Sequence, residues 1–273
     1  VPITDEVWSA TRSALTATSA RFLDMVTESN ARTMATADWT VADTLAHVGS
    51  IADMYTRLVR SGDPRHDHVL TTTVDTVADL NAQVLAQFTE RDPVTLTERL
   101  RADIVDVLAA TETTDPASAV PWLGDSRVAI CGLFAHLINE LHIHGRDIAH
   151  ATRTPWHIPS ADAALFFEVF FVEMIRRDVG CLLDNDEPPS DRRIAVEFRS
   201  RHTTPVTLVL RHGVVTVEPP GDADVRIFFD PSALNLMLFH RIGRMRAALT
   251  GKVRVSGRRP WLLPTFLKTV RCP

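Results

Sequence analysis

Cysteine is scarce in this chain. Cys131, Cys181 and Cys272 are odd in number and share no C-x-x-C spacing, so neither a disulfide framework nor a thiolate metal cage is indicated. Lysine is scarcer still, present only at Lys252 and Lys268 while arginine is abundant, a skew that reads as codon usage and not as mechanism. No apolar run approaches the roughly 18 residues of a membrane span. The start V-P-I-T-D-E lacks the basic and apolar regions of a signal peptide, so the expected compartment is the cytoplasm. A broad basic field is also missing: the net charge is −5 and the pI near 6.1. Nucleic acid and anionic membrane surfaces are therefore poor partners, and a small molecule is the better expectation. There is no internal repeat or low-complexity tract.

Apolar residues are plentiful, at 45% of 273 residues, enough for one large domain or two ordinary ones. Helical periodicity dominates the first two thirds. A helix is expected from Thr4 to about Asn30, with Leu15, Phe22, Leu23 and Val26 on its apolar side. A second begins after Trp39, where Thr40 and Asp43 form a capping box with Asp in place of Glu or Gln, and the polar stretch Ser61 to Asp67 ends it. Helical material from about Val74 to Ala110 is interrupted near Asp92-Pro93, and a further helix is expected from about Ser126 to Ala151. These make a bundle of four long antiparallel helices. Another helix should run from Ser160 to about Leu183. Beyond the polar and proline-rich stretch at Asp184 to Pro189, I-A-V-E-F-R-S, V-T-L-V-L-R, V-V-T-V-E and V-R-I-F-F alternate with period two and read as strands. An amphipathic helix from about Pro231 to Thr250, a strand K-V-R-V-S-G and a C-terminal helix complete the chain. The expected class is α+β: a helical domain over 1–154, a connecting helix and linker over 155–189, and a small α+β domain over 190–273.

The most informative stretch is H-L-I-N-E-L-H-I-H-G-R-D-I-A-H, from His136 to His150. Glu140 and His144 are four residues apart, so on a helix they lie only about 40° from each other, one turn apart. A carboxylate and an imidazole so placed can share a divalent metal, and His47 on the second helix is the leading third ligand. Three protein ligands leave an open position, the arrangement of a reactive site. On the wheel, Glu140 borders the apolar stripe and His144 lies within it. Asp147 falls at about −20° on the ligand side, and His142 sits about 200° away, where solvent is expected. The alternative is a hydrogen-bonded Glu–His pair with no metal, and His47 as an ordinary core or surface residue.

Trp39 followed by His47, then a long gap and E-L-H-I-H-G-R-D-I-A, resembles the N-terminal domain of mycothiol-dependent maleylpyruvate isomerases and the wider DinB-like metal-binding four-helix bundles. The family's pattern of a histidine on helix two and Glu-x3-His with a trailing Gly-x-Asp on helix four maps onto His47, Glu140, His144, Gly145 and Asp147. Many DinB-like proteins carry three histidines, so Glu140 favours the isomerase branch. Gly251 to Leu267, G-K-V-R-V-S-G-R-R-P-W-L-L-P-T-F-L, resembles a sterol-carrier-like domain, which that branch also appends. The resemblance implies a zinc ion held by His47, Glu140 and His144, with mycothiol or a similar low-molecular-weight thiol as cosubstrate. In such isomerases the thiolate adds to the double bond of a maleyl-type acid, allows rotation, and leaves as the trans isomer. Asp147 is the candidate for orienting His144; its alternative is a solvated acid or a partner of Arg146.

A substrate bearing carboxylates calls for cations, and Arg241, Arg244, Arg246, Arg254, Arg258 and Arg259 are available without any one being singled out. The C-terminal domain is expected to cover the mouth of the helical one. The reading is a metal-dependent, thiol-using isomerase or transferase acting on a small electrophile. Its rivals are a thiol S-transferase or thiol-exchange enzyme, a metal-dependent hydrolase, and a non-enzymic metal-stabilised binding protein. Among metals zinc is preferred by ligand type, although imidazole and carboxylate also suit nickel, iron or manganese.

Overall fold

A computed structural model describes residues 2–61, 67–186 and 188–272, without the side chains of Asp67, His68 and Arg244. Four long helices form the first layer: α1 (Asp5–Thr27), α2 (Val41–Ser61), α4 (Pro93–Ala110) and α5 (Ile130–Thr152), with a shorter α3 (Val77–Gln87) packed on α2. Their starts are set by local chemistry. The Thr4 hydroxyl accepts from the Val7 amide at 3.3 Å. At α2 the Asp43 amide donates to the Thr40 hydroxyl at 3.1 Å and the Thr40 amide donates back to the Asp43 carboxylate at 3.0 Å, the reciprocal box that the sequence suggests. Asp92 caps α4 through the Thr95 amide at 2.9 Å, and Pro93 occupies the first turn, where its missing N–H costs nothing. The polar stretch expected to end the second helix, Ser61 to Asp67, lies mostly outside the described residues, with α2 described to Ser61. Leu15, Phe22, Leu45, Tyr55, Leu100, Val107, Leu133 and Phe134 fill the bundle core.

The helix bearing the metal motif starts four residues later than expected. Arg127–Ala129 is β2, paired antiparallel with β1 (Ala119–Pro121), and this short hairpin takes the residues that periodicity alone assigns to the helix. After α5, α6 (Ser160–Leu165), a π-helical turn at Phe166–Val172 and α7 (Glu173–Arg177) follow without a break and lie along α5. This run stops at Arg177 and not near Leu183, because Asp178 turns extended and its carbonyl accepts from the Arg127 amide at 2.9 Å.

The remaining strands form one sheet in the order β5-β4-β3-β6-β7: β3 (Ile194–Arg199), β4 (Val206–Arg211), β5 (Val214–Glu218), β6 (Val225–Phe229) and β7 (Val253–Ser256). Only the β3–β6 pairing is parallel. The helix expected from Pro231 to Thr250 is two: α8 (Pro231–Leu238) and α9 (Arg244–Leu249). His240 adopts a left-handed backbone, φ 58°, and the Arg241 amide turns back to the Leu236 carbonyl at 2.7 Å. An amphipathic pattern cannot reveal this break, whose cause is tertiary: the turn delivers Arg241 to α5. The C-terminal α10 (Leu263–Thr269) closes the sheet region.

Candidate metal centre

His47 lies in the second turn of α2 and faces α5. Glu140 and His144 share one side of α5, as the four-residue spacing requires. The His47 Nε2 is 3.6 Å and the His144 Nε2 3.3 Å from the same Glu140 oxygen, Oε2. One ligand atom from each of the three residues lies within 4.8 Å of the others. All three side chains are nearly withdrawn from solvent. Both imidazole contacts exceed the 2.7–2.9 Å of a charge-assisted hydrogen bond, so the three groups converge without closing on one another. This donor set can coordinate a divalent cation.

Asp147 sits one turn beyond. Its Oδ2 is 3.6 Å from the His144 Nδ1, an electrostatic contact too long for a hydrogen bond. The same carboxylate is clamped by Arg241, whose Nε donates at 3.1 Å and Nη2 at 2.6 Å, while Nη1 donates to the Phe239 carbonyl at 2.7 Å. Asp147 is therefore not a partner of Arg146 in this structure. When His144 is neutral, Asp147 favours the tautomer with the proton on Nδ1, which leaves Nε2 free to act as a ligand beside Glu140 and His47.

Electrostatics follow from burial and neighbours. Burial raises the Glu140 pKa, but His144, His47 and His136 outweigh it and hold the carboxyl well below its ordinary range. Burial pushes His47 and His136 down, keeping both neutral near pH 7. For His144 burial also opposes charge, yet Asp147 and Glu140 win and lift its pKa to about 9. Two of the three thiols are poor nucleophiles: burial raises Cys131 to about 11 and Cys272 to about 12.

Three aromatic or basic groups at the site carry no assignment from sequence. Trp39 lies over both imidazoles, with ring centroids 4.7 Å from His47 and 5.8 Å from His144. His136, one turn before Glu140, places its Nε2 3.5 Å from Glu140 Oε1. The hydroxyl of Tyr55 joins the His136 Nδ1 at 2.9 Å and accepts from the Trp122 indole at 3.0 Å. The signal for His136 was available, since H-x3-E repeats the spacing of Glu140 and His144.

His142 requires a correction. It is 1% exposed and not solvated, with its Nε2 3.6 Å from Asp162 and its carbonyl accepting from the Trp156 indole at 3.1 Å. The wheel placed it correctly away from the ligands, but α6 and Trp156 cover that face, so α5 is buried nearly all round. Among the six candidate arginines, Arg241 reaches the site, while Arg258 pairs with Asp222 and Arg259 with Asp224. The Arg244 side chain lies outside the described residues.

No curated protein matches the chain. Among solved structures, a mutant of the mycothiol-dependent maleylpyruvate isomerase is similar over 84% of this chain and 87% of its own, at 10% identity and a TM-score of 0.51, a likeness of fold. Sterol carrier protein 2 from Yarrowia lipolytica aligns with 25% of this chain and 64% of its own, at 19% identity and a TM-score of 0.20. The family model described as the mycothiol maleylpyruvate isomerase N-terminal domain matches residues 12–149. That stretch is just over half of the chain and contains α2 with His47 and α5 with Glu140, His144 and Asp147, so the protein belongs to the family defined by this domain.

Proposed function

We propose that the protein is a metal-dependent isomerase or transferase that uses a low-molecular-weight thiol, mycothiol or a close analogue, against a small electrophile. The observation that carries this reading is the convergence of the His47 and His144 Nε2 atoms on one Glu140 oxygen. His47, Glu140 and His144 would hold the metal, with zinc favoured by two neutral imidazoles and one carboxylate. A divalent ion there supplies positive charge that favours the thiolate over the thiol.

The chain's own residues prepare the rest. Asp147, fixed by Arg241, orients His144. Trp39 excludes water from the two imidazoles. Cys131 is buried against Thr11, with Sγ to Oγ1 at 3.5 Å, on the side of α5 away from Glu140. With Cys131 and Cys272 both held as thiols and Cys181 turned to the Leu70 carbonyl, 3.8 Å from its Sγ, outside the cavity beside Glu140, the reading takes the sulfur nucleophile from a cosubstrate. Among the described residues no helix is long and apolar enough to cross a membrane.

Metal content by mass spectrometry, on protein purified without chelator, tests this. Near-stoichiometric zinc is expected in the parent, with each of H47A, E140A and H144A depleted and H142A retaining its metal despite reduced stability. In the cobalt-substituted protein, added thiol should change the visible absorption. A folded parent that refuses zinc would remove the enzymatic reading, and metal indifferent to thiol would favour hydrolysis.

A further inference from the structure

The cavity beside the metal centre is apolar where a maleyl-type substrate would need cations. Its walls include His47 and Glu140 at one end and Leu80, Val84, Trp122, Phe166, Phe170 and Met174 beyond them. Most of the charged and hydroxyl groups on this wall already have partners, and Asn81 adds one neutral amide. The Tyr55 hydroxyl is taken by His136 and Trp122, and the Ser50 hydroxyl donates to the His47 carbonyl at 2.7 Å. Two guanidiniums border the cavity, Arg57 and Arg271, and the charge of each is matched by a carboxylate, Asp53 and Asp75 respectively, with the buried Arg57 Nε left without a hydrogen bond. Arg241 is committed to Asp147.

Charge counting points the same way. Glu140 contributes one negative charge and a thiolate would contribute another, which together match a divalent ion. A dianionic substrate would enter with no countercharge left, and carboxylates in an apolar cavity are strongly disfavoured unless paired. The space, about 140 Å³, is close to that of an apolar protein cavity known to admit benzene.

We infer that the electrophile handled by this site is a neutral, apolar molecule whose aromatic-ring-sized group occupies the cavity between α2, α3 and the π-helical turn, and not a maleyl-type dicarboxylate. The inference rests on the thiol-using reading above for the word electrophile, while the cavity's preference for apolar ligands is independent of it.

Fluorine NMR with 4-fluorotoluene and its carboxylate counterpart 4-fluorobenzoate tests the preference on metal-free protein and on zinc-loaded protein with mycothiol present. The neutral probe should bind about 100-fold more tightly than the carboxylate in both, a gap set by the cost of desolvating an unpaired charge. A tenfold excess of maleate should not displace it. A second apolar cavity, about 400 Å³, lies in the C-terminal region and is lined by Leu263, so location needs its own control. V84W, or the milder N81W on the same wall, should abolish binding while L263W leaves it intact, each variant being checked for a native melting transition.

Equal or tighter binding of the carboxylate, displacement by maleate, or loss of binding in L263W with retention in V84W and N81W would each overturn the inference. Failure to take up zinc with the probe still bound would remove the metal reading alone. Zinc and thiol bound with maleate preferred would remove the inference alone.

Discussion

At the scale of single residues, a metal proposed for this site would compete with a proton for His144. Its pKa of about 9, against 6.5 for an ordinary histidine, means that near pH 7.5 the metal-free protein carries an imidazolium next to Glu140 and Asp147. Because the folded value is raised, this charge stabilises the metal-free protein fully below pH 6.5, and the contribution is lost as pH climbs through about 9. On the proposed reading zinc has to displace that proton, so its apparent affinity should rise about tenfold per pH unit up to pH 9 and then level. Calorimetric titrations in buffers of different ionisation enthalpy should report about one proton released at pH 7.5. D147N loses the carboxylate that orients and charges His144. It should release fewer protons at pH 7.5 and, above pH 9 where proton competition is gone in both proteins, bind zinc about 10-fold more weakly; unchanged zinc affinity there would show that Asp147 serves only Arg241.

At the scale of elements, much of α5 was legible because two candidate ligands four residues apart and an apolar stripe make one consistent helical statement. The shared face of Glu140 and His144 and the Thr40–Asp43 cap follow from local rules, whereas the approach of His47 is a tertiary contact between α2 and α5. The burial of His142 did not, since periodicity describes a helix with one covered face and cannot count how many neighbours pack on it. Gly145 illustrates the same limit. A Cβ at that position would fall 2.3 Å from the Trp156 ring, so the glycine exists to let Trp156 lie flat on α5 and donate to the His142 carbonyl. G145A should therefore overpack this contact and cost about 1–3 kcal/mol in urea denaturation. It should also disturb His144, one residue away, more than a remote change of equal cost. On α4, Asp103 is half-buried, and burial followed by the Asp53 charge raises its pKa to about 6 from 3.8. A raised acid favours its protonated form in the fold, so stability should fall as pH rises from about 4 to about 6. Once solvent screening is allowed for, D103N should gain about 1 kcal/mol at pH 7 and lose that pH dependence. A parent and variant with parallel urea midpoints from pH 4 to 7 would refute this.

At the scale of the whole molecule, the run 160–177 decides whether helices and sheet behave as one body. Its four phenylalanines alternate in pairs. Phe166 and Phe170 face the site, with the Phe170 ring 4.7 Å from His136 and 4.9 Å from Trp122. Phe167 faces the sheet, 5.4 Å from Phe198 and 5.0 Å from Phe229. The π-helical turn places both pairs inward at once, a geometry that the sequence F-F-E-V-F-F does not announce, because a regular helix cannot be told from a π turn by periodicity. Polar links reinforce the joint: the Asn235 amide on α8 donates to Asn139 on α5 at 3.1 Å, and Arg241 clamps Asp147. The two regions should consequently unfold in a single calorimetric transition. F167A, which empties a nearly fully buried site between them, should lower stability by about 3–5 kcal/mol. If the regions are coupled through this helix, the sheet's loss should weaken zinc binding too, since Arg241 reaches Asp147 only while α8 stays docked. A variant whose sheet melts early while zinc affinity and the helical transition stay at parent values would show that the helical bundle holds its metal centre without the C-terminal region.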